Sequence, residues 1–260
     1  MSDRVSIEEK IRIISKIKRE VDIKVNGMVI YLVISGSDLY GFPSKDSDVD
    51  YRGAYLVGTE HLLGLDRKRD VIEMKPDIVL FELKKELDLA LSGNCNVLEH
   101  INAPTIYQTR EFLEMKELVN DTFAKDGLYK SYRGMAMFNY KKFILKGRKT
   151  YKKYLYVLRG LMAGTYVLET CRIEPNIVTL NKYFKIPEVN VLVEAKRNGM
   201  ENGEVTELVE NGSIDERIVE LTKRMDDAYK DCKLPKTVDP EQKKKINSWL
   251  IKLRIEKIGR

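Results

Sequence analysis

The sequence predicts an α/β fold, in which a sheet domain is followed by a helical domain. Short apolar segments rich in β-branched residues recur in the first part of the chain, bounded by glycine and aspartate as strands commonly are. A helical spacing of apolar residues precedes these segments and dominates from about Thr109 onward. We therefore expect a sheet domain over residues 1–108 and a helical domain over residues 109–260.

The first two elements are a helix and a buried strand. Ser6 and Glu9 form a capping box, and isoleucines follow at helical spacing, which predicts a helix over about residues 7–20. After it, Met28–Ser35 is a continuous apolar run with a glycine on either side. Such a run is typical of a strand that is buried on both faces, so we place it inside the sheet.

Two further strands and several helices follow. Asp48–Val57 alternates well enough for a second strand, and the apolar run Asp77–Phe81 predicts a third. A helix with regularly spaced leucines comes next and ends near Gly93. Five later segments have helical spacing, at about 109–120, 129–146, 150–170, 214–232 and 240–258.

The composition is that of an ordinary globular protein. The chain has 260 residues, with 46 Lys and Arg against 40 Asp and Glu, and a net charge of +6. Its longest apolar run has seven residues, whereas a membrane helix needs about 20. The first residues carry no apolar segment of the secretory kind, and the three cysteines are widely separated. We therefore expect a cytoplasmic protein without a membrane partner.

Several kinds of chemistry lack the residues that they need. The two histidines, His61 and His100, and the three cysteines do not fall at the spacing of zinc ligands. The chain has no P-loop, no glycine-rich dinucleotide fingerprint and no nucleophile elbow. Carboxylates, lysines and backbone groups remain as the candidates for chemistry.

The segment that follows the first strand carries the candidate site. Asp48 and Asp50 lie two residues apart on a predicted strand and therefore point to one face, where two carboxylates can share Mg²⁺. Gly36 and Ser37 form a small-residue turn that exposes N–H groups and a hydroxyl to a phosphate. Metal and phosphate sites together indicate phosphoryl or nucleotidyl transfer, whereas an isolated pair of aspartates is more often a solvated strand face.

Positive charge is concentrated in the helical half. Eleven basic residues and one acidic residue lie between Lys125 and Arg159, together with six of the fourteen tyrosines. Such a surface suits a polyanion, through phosphate contact and base stacking, although packing between helices is the alternative for the tyrosines. Lys152, Tyr156 and Arg159 share one helical face, with Lys153 beside it, and suit a nucleotide phosphate.

The motif around the two aspartates resembles that of the DNA polymerase beta-like nucleotidyltransferase superfamily, which carries G-S-x-x-x-G followed by S-D-x-D. With its flanking residues, the motif is similar to one branch, the stand-alone, RNA-ligase-associated (YcgL-like) nucleotidyltransferases. Segments 77–98 and 152–159 match the same branch. The residues that carry the motif are Gly36, Ser37, Tyr40, Gly41, Ser47, Asp48, Asp50 and Arg52.

The resemblance implies a small mixed sheet as the catalytic core, two Mg²⁺ ions (or Mn²⁺) and an NTP such as ATP as the substrate. It also implies a third metal-binding carboxylate on a neighbouring strand, which helps to activate the attacking hydroxyl. We expect Asp77 in this role, with Glu73 and Glu82 as alternatives. The expected catalytic and metal-binding residues are Asp48, Asp50 and Asp77, and the expected nucleotide-binding residues are Gly36, Ser37, Tyr40, Ser47, Arg52, Lys152, Lys153, Tyr156 and Arg159.

The acceptor is the part of the function that the sequence determines least. The association of the branch with RNA ligases, together with the basic helical half, indicates RNA repair and an RNA 3′-hydroxyl extended without a template. Lysines of the last predicted helix extend the same basic track. Nucleotidylation of a protein side chain keeps the chemistry but changes the acceptor. A catalytically inactive nucleic-acid-binding module is the third alternative, and the intact pair Asp48 and Asp50 argues against it.

Overall fold

The computed structural model describes residues 4–45, 47–65, 70–199 and 213–257. Within these ranges, five strands form one sheet. The strands are β1 (Met28–Ile34), β2 (Tyr51–Leu56), β3 (Val71–Met74), β4 (Ile78–Glu82) and β5 (Thr105–Gln108). The helices are α1 (Ile7–Val25), α2 (Gly36–Tyr40), α3 (Glu60–Leu63), α4 (Leu83–Leu91), α5 (Cys95–Asn102), α6 (Arg110–Asn120), α7 (Lys125–Lys142), α8 (Tyr151–Thr170), α9 (Ile177–Phe184), α10 (Pro187–Arg197), α11 (Ser213–Asp231) and α12 (Pro240–Glu256), with a 3₁₀ turn at Ile144–Lys146.

The sheet is mixed. Its strand order is β3-β4-β2-β1-β5. Strands β2 and β4 run parallel, and the other neighbouring pairs are antiparallel. The mixed sheet and the helices that surround it confirm the predicted α/β fold class.

Strand β1 is buried on both faces, as its unbroken apolar run predicts. On one face, Ile17 and Val21 of α1 belong to the same hydrophobic cluster as Leu32. On the other face, Ile30 and Val33 join a cluster that includes residues of helices α4 to α8. Packing on both faces fixes the position of the strand, so the residues that leave its end emerge at a defined point of the sheet edge.

Some predicted elements have different ends in the structure. Helix α1 continues to Val25, where Asn26 ends it in a left-handed conformation. Strand β2 begins at Tyr51 rather than at Asp48, because β1 ends and β4 begins beside Tyr51. Residue 258, at the end of the last predicted helix, lies outside the described residues.

Other elements were not predicted. Strands β3 and β5 have four residues each and lie at the two edges of the sheet, where so short a segment shows no clear alternation. Helices α2 and α3 are also short. Helices α5, α9 and α10 begin after Asn94, Asn176 and Ile186, in segments where we expected no helix.

Gln108 ends the last strand among the described residues, and the elements after it are helical. One hydrophobic cluster nevertheless continues from β1 to α12. The predicted division at residue 108 therefore coincides with the change from strands to helices, but both parts share one hydrophobic core. The division into two domains stays a prediction. No helix in the described ranges combines the length and the apolar character that crossing a membrane requires.

Candidate active site

The strand register brings three chain segments together at one edge of the sheet. Tyr51, at the start of β2, lies between the end of β1 and the start of β4. The Ser35 N–H donates to the Asp50 carbonyl oxygen over 2.8 Å. The Tyr51 N–H donates to the Asp77 carbonyl oxygen over the same distance. Asp50, Asp77 and the turn after Ser35 are therefore neighbours in space.

One arginine joins the two carboxylates. Arg52 Nη2 donates to Asp50 Oδ1 at 3.1 Å and to Asp77 Oδ1 at 3.0 Å. Arg52 Nη1 donates to the carbonyl oxygens of Tyr51 and Asp77, at 2.9 Å each. These contacts hold the guanidinium between the two carboxylates, in a space that accommodates positive charge.

The two carboxylates differ in their affinity for a proton. Burial raises the pKa of Asp50 to about 6; the hydrogen bond with Asp77 adds to this rise, and Arg52 opposes it. The same hydrogen bond holds the pKa of Asp77 below its ordinary value, and Arg52 acts in the same direction. Asp50 is therefore the member of the pair that binds a proton first as the pH falls.

The oxygens of this pair fit a divalent metal ion. Mg²⁺ prefers oxygen ligands such as carboxylates. Asp50 and Asp77, which share the Arg52 guanidinium, provide carboxylate oxygens close together. Gly36 gives the site its shape, since its φ is +61° and a Cβ atom there would lie 1.8 Å from Asp50 Oδ2. In the described part of the chain, no group of three or more His, Cys, Asp or Glu side chains is arranged to hold an ion. The carboxylates that the structure brings together as candidate metal ligands are therefore Asp50 and Asp77.

Asp48 lies on the loop before β2, where its side chain is exposed. The expectation that Asp48 and Asp50 project from one face of a strand is wrong, because both residues precede the start of β2 at Tyr51. The role of Asp48 as a metal ligand stays a prediction.

Among the three candidates for the third carboxylate, Asp77 is the one that lies beside Asp50. Glu82 is fully buried, where it accepts a hydrogen bond from Arg254 Nη2 at 2.8 Å and caps the start of α4. Glu73 is exposed on the edge strand β3. Glu82 is therefore used by the fold, and the structure favours Asp77 over both alternatives.

Helix α5 supports both ends of the short helix α2. At the first end, Ser35 Oγ and His100 Nε2 are 2.8 Å apart, and burial lowers the pKa of His100 to about 3, with further lowering by nearby arginines. At the other end, Glu99 Oε1 accepts a hydrogen bond from Arg159 Nη1 at 2.7 Å. The Arg159 guanidinium lies 3.7 Å from the centre of the Tyr40 ring. Two adjacent residues of α5 therefore fix the turn that approaches Asp50.

Arg159 and Tyr40 both lie in the interior of the protein. The Arg159 side chain is 0% exposed and paired with Glu99, which argues against the expected contact with an NTP phosphate. Tyr40 is buried too, and its burial raises the pKa of its hydroxyl well above the ordinary value. The shared helical face identified Arg159, but the buried partner Glu99 lies far away in sequence.

The other predicted residues of α8 lie near its first turns. Tyr156 packs edge-on against Tyr40 and Phe42, with ring centres 5.9 and 5.6 Å apart. Lys153 Nζ lies 3.8 Å from the centre of the Phe143 ring, and Lys152 is half-buried. The structure thus brings Tyr156 against the segment that follows α2, with the two lysines about one turn away on the same helix.

The loop between α2 and β2 is held by the motif residue Ser47 and by three basic residues outside the motif. Ser47 Oγ closes a turn by accepting a hydrogen bond from the Ser44 N–H at 3.0 Å. Arg4 Nη2 donates to the Ser47 carbonyl oxygen at 2.8 Å. Lys196 Nζ, almost fully buried, lies 3.3 Å from Ser44 Oγ, and Arg197 donates to a carbonyl oxygen of the same loop. Nothing in the sequence around Arg4, Lys196 or Arg197 indicates these contacts.

Comparison with known proteins gives the family. The sequence model of the RlaP family, the RNA repair pathway DNA polymerase beta family, matches residues 7–252. The uncharacterized protein YcgL of Bacillus subtilis is 33% identical over 207 residues, which are 74% of this chain and 78% of that protein. An uncharacterized protein of Methanocaldococcus jannaschii is 34% identical over 149 residues, or 54% of this chain and 60% of that protein.

A search of solved structures finds a nucleotidyltransferase-like protein from Exiguobacterium sibiricum. It is 11% identical, with a TM-score of 0.29, and the match covers 96% of this chain and 80% of that one. The family match over most of the chain agrees with the resemblance in the motif. The chain belongs to the RNA repair pathway DNA polymerase beta family and is a nucleotidyltransferase of the polymerase beta superfamily.

Proposed function

We propose that this nucleotidyltransferase transfers a nucleoside monophosphate from an NTP to the 3′-hydroxyl of an RNA, without a template, and releases pyrophosphate. The family supports the reaction class and a role in RNA repair. The observation that carries the assignment of the site is the pair Asp50 and Asp77, which share the Arg52 guanidinium beside Gly36.

Asp50 and Asp77, with Asp48 on the adjoining loop, are the residues that would hold one or two divalent ions, Mg²⁺ or Mn²⁺. Ions bound there would supply Lewis-acid stabilisation of the charge that develops during transfer. The two carboxylates are unequally open, since the Asp77 side chain is 51% exposed and that of Asp50 is 22% exposed. We therefore assign Asp77 to the side from which the acceptor hydroxyl arrives. In this position, Asp77 helps to remove the proton of that hydroxyl.

The turn at Gly36 and Ser37 is the proposed position of the NTP phosphates. A glycine at this point lets the backbone lie against Asp50, so a phosphate bound at the turn would be next to the metal-binding oxygens. The half-buried ring of Tyr156 flanks the segment after α2. Lys152 and Lys153, about one turn along α8, are retained as proposed phosphate contacts, whereas the buried Arg159 is not.

The test is a transfer assay with each of the four labelled NTPs and Mg²⁺. The acceptor is a short single-stranded RNA whose 3′-hydroxyl is free in one sample and chemically blocked in another. We expect label on the free RNA only, with a preference among the four NTPs. The double variant Asp50→Asn/Asp77→Asn is the control and should leave the RNA unlabelled while it stays folded.

The other outcomes separate the alternatives. Label on the protein, or on an added protein, would assign the acceptor to a side chain and overturn the RNA proposal. Folded wild-type protein that binds RNA but transfers no label from any NTP would make the chain an inactive nucleic-acid-binding module. Transfer by the double variant at the wild-type rate would remove Asp50 and Asp77 from the site.

A further inference from the structure

Eight of the eleven basic residues between residues 125 and 159 fall into two groups. The side chains of one group contact partners within the protein. Arg133 pairs with Asp226 at 2.9 Å, and Lys149 pairs with Asp215 at 3.8 Å. Lys125 donates to backbone carbonyl oxygens near the end of α11, and Arg159 is buried with its glutamate partner. These side chains are held by contacts within the protein and are less available to a ligand.

The second group is exposed and unpaired. Lys141, Lys142, Lys146 and Arg148, which we call the basic patch, lie at the end of α7 and around the 3₁₀ turn. Each is exposed, and in the part of the chain that the structure describes none forms an ion pair with a carboxylate. The basic patch therefore presents concentrated positive charge to solvent, where a polyanion can neutralise it.

An exposed aromatic ring accompanies these charges. Phe138, one turn before Lys142 on α7, is 58% exposed. Lys142 Nζ lies 4.9 Å from the centre of the Phe138 ring and 5.4 Å from that of Phe143. An exposed ring beside unpaired cations has the composition of a surface that stacks a base and contacts its phosphate.

The tyrosines of the same segment are used differently. Tyr132 and Tyr154 are fully buried, and Tyr129 donates a hydrogen bond to Asp226 at 2.7 Å. The six tyrosines of this segment are buried or half-buried. Phe138 is therefore the best-exposed ring for base stacking in the segment, although the sequence directed attention to the tyrosines.

The basic patch adjoins the candidate active site through a short series of contacts. Phe143, which touches Lys142, lies under Lys153 on the first turn of α8. Tyr156 is about one turn further along α8 and packs against Phe42, in the segment that follows α2. The basic patch and the segment that follows α2 therefore both lie against the first turns of α8.

We infer that the basic patch and Phe138 bind the single-stranded part of an RNA acceptor upstream of its 3′ end. The binding surface is inferred from charge, exposure and ring contacts. That the bound RNA is the acceptor of nucleotidyl transfer rests on the proposed function. Lysine and arginine contact successive phosphates, and Phe138 stacks on one base. Binding by such a surface weakens as the salt concentration rises and depends little on the RNA sequence.

Two triple-lysine variants provide a matched comparison. Lys141→Ser/Lys142→Ser/Lys146→Ser removes three exposed charges from the basic patch. The control replaces three exposed lysines that lie outside the basic patch and outside α12, and it removes the same charge from other surfaces. The control substitutions are Lys182→Ser, Lys223→Ser and Lys233→Ser.

The measurement is the dissociation constant for a fluorescently labelled single-stranded RNA, without NTP, at several salt concentrations. We expect the patch variant to bind about tenfold more weakly or worse, and its logarithmic salt slope to fall by about 2, since each phosphate contact on a single strand contributes about 0.7. The control variant should bind within about twofold of the wild type. Equal weakening in both variants, or in neither, would overturn the proposal.

Phe138 is tested by a second pair of variants. Phe138→Ser should weaken binding about tenfold with an unchanged salt slope, because it removes a stacked base and no charge. Leu145→Ser removes an exposed apolar side chain from the same surface but no ring, and should change binding little. A Phe138 variant that binds single-stranded RNA as the wild type does, or equal binding of an RNA duplex, would overturn the stacking role.

The binding assay contains no NTP, so its outcome is independent of catalysis. If the wild type binds RNA through the basic patch but transfers no nucleotide, the proposed function fails and the binding surface stands. If transfer proceeds and the patch variant binds RNA normally, the binding surface fails and the proposed function stands.

Discussion

Arg148 and Arg159 lie eleven residues apart in the chain and end in opposite environments. Arg159 is fully buried, with Glu99 at 2.7 Å and the Tyr40 ring beneath its guanidinium. Arg148 is exposed after the 3₁₀ turn, in the basic patch. A buried charge needs a buried partner because its desolvation is costly, whereas an exposed charge remains available to a ligand. The number of charges in a segment therefore says little about function until their burial is known.

The carboxylates show the same contrast. Glu99 is 0% exposed and serves the interior of the protein. Asp50 and Asp77 lie at the sheet edge, partly open, where their cation partner is an arginine that is itself 21% exposed. Interior charges should therefore affect stability first, and edge charges should affect catalysis first. The following substitutions test this distinction.

The largest effect is expected for Asp50→Asn. We expect nucleotidyl transfer to fall on the order of 1000-fold, because a neutral amide is a poorer ligand than a carboxylate for the cation proposed to bind at this edge. The melting temperature should not fall, since the substitution removes a partly buried carboxylate whose pKa is raised to about 6. The control is Asp121→Asn, at an exposed aspartate that follows α6, which should transfer normally.

The next effect is expected for the buried ion pair. Arg159→Met should lower the free energy of unfolding by about 3–5 kcal/mol, because it leaves Glu99 buried without its partner. Glu99→Met should cost a similar amount. The double variant should cost less than either single variant, since an apolar pair leaves no charge unpaired. Denaturant unfolding measures all three, and additive losses would contradict an interior role for the pair.

Gly36→Ala tests the turn that lies directly against Asp50, where a substitution should affect both catalysis and stability. The new Cβ atom would lie 1.8 Å from Asp50 Oδ2, in a backbone with φ +61°, so Asp50 must move. We expect transfer to fall about tenfold or more, with a loss of stability of about 1–2 kcal/mol. Gly134→Ala is the control, because nothing lies within 4 Å of its Cβ position, and this helical substitution should stabilise α7 slightly. Full activity of Gly36→Ala would contradict the close approach at this turn.

The smallest effect concerns a buried carboxyl with no role at the edge. Tyr31 donates a hydrogen bond to Glu86, and burial raises the pKa of Glu86 to about 8. A raised carboxyl pKa stabilises the fold below the ordinary pKa, near 4.5, and this contribution is lost as the pH rises through 8.

Replacing Glu86 by a neutral residue tests that dependence. Glu86→Gln should match the wild type near pH 5 and be more stable at pH 8 by at least about 1 kcal/mol, because glutamine cannot ionise. Urea unfolding of both proteins at several pH values measures the difference. A stability difference that does not change with pH would contradict the raised pKa of Glu86.

The sequence predicted the strands near the candidate site better than the contacts of the helical residues. The apolar runs located β1 and β4, whereas Asp77 was chosen because the resemblance implies a third carboxylate on a neighbouring strand. In the structure, the strand register then brings Asp50 and Asp77 to one edge of the sheet. The start of β2 was wrong by three residues, since strand ends depend on where the neighbouring strands stop.

The helical residues were harder to assign for a physical reason. Helical spacing shows that Tyr156 and Arg159 share a face, but it does not show which part of that face is buried. The partner that neutralises Arg159 is Glu99, on another helix and far away in sequence. The contacts of Arg4 and Lys196 with the loop before β2 are equally long-range. Such pairings follow from tertiary packing and leave no local pattern.

The most direct test measures melting temperature and nucleotidyl transfer on the same preparations of two proteins. One is Asp50→Asn, and the other is the double variant Glu99→Met/Arg159→Met. We expect Asp50→Asn to melt at the wild-type temperature and to transfer nucleotide on the order of 1000-fold more slowly than the wild type. We expect the double variant to transfer nucleotide with an unchanged KM for NTP wherever it is folded. A folded double variant with a strongly raised KM for NTP, or an active Asp50→Asn protein, would contradict the division between interior and edge charges.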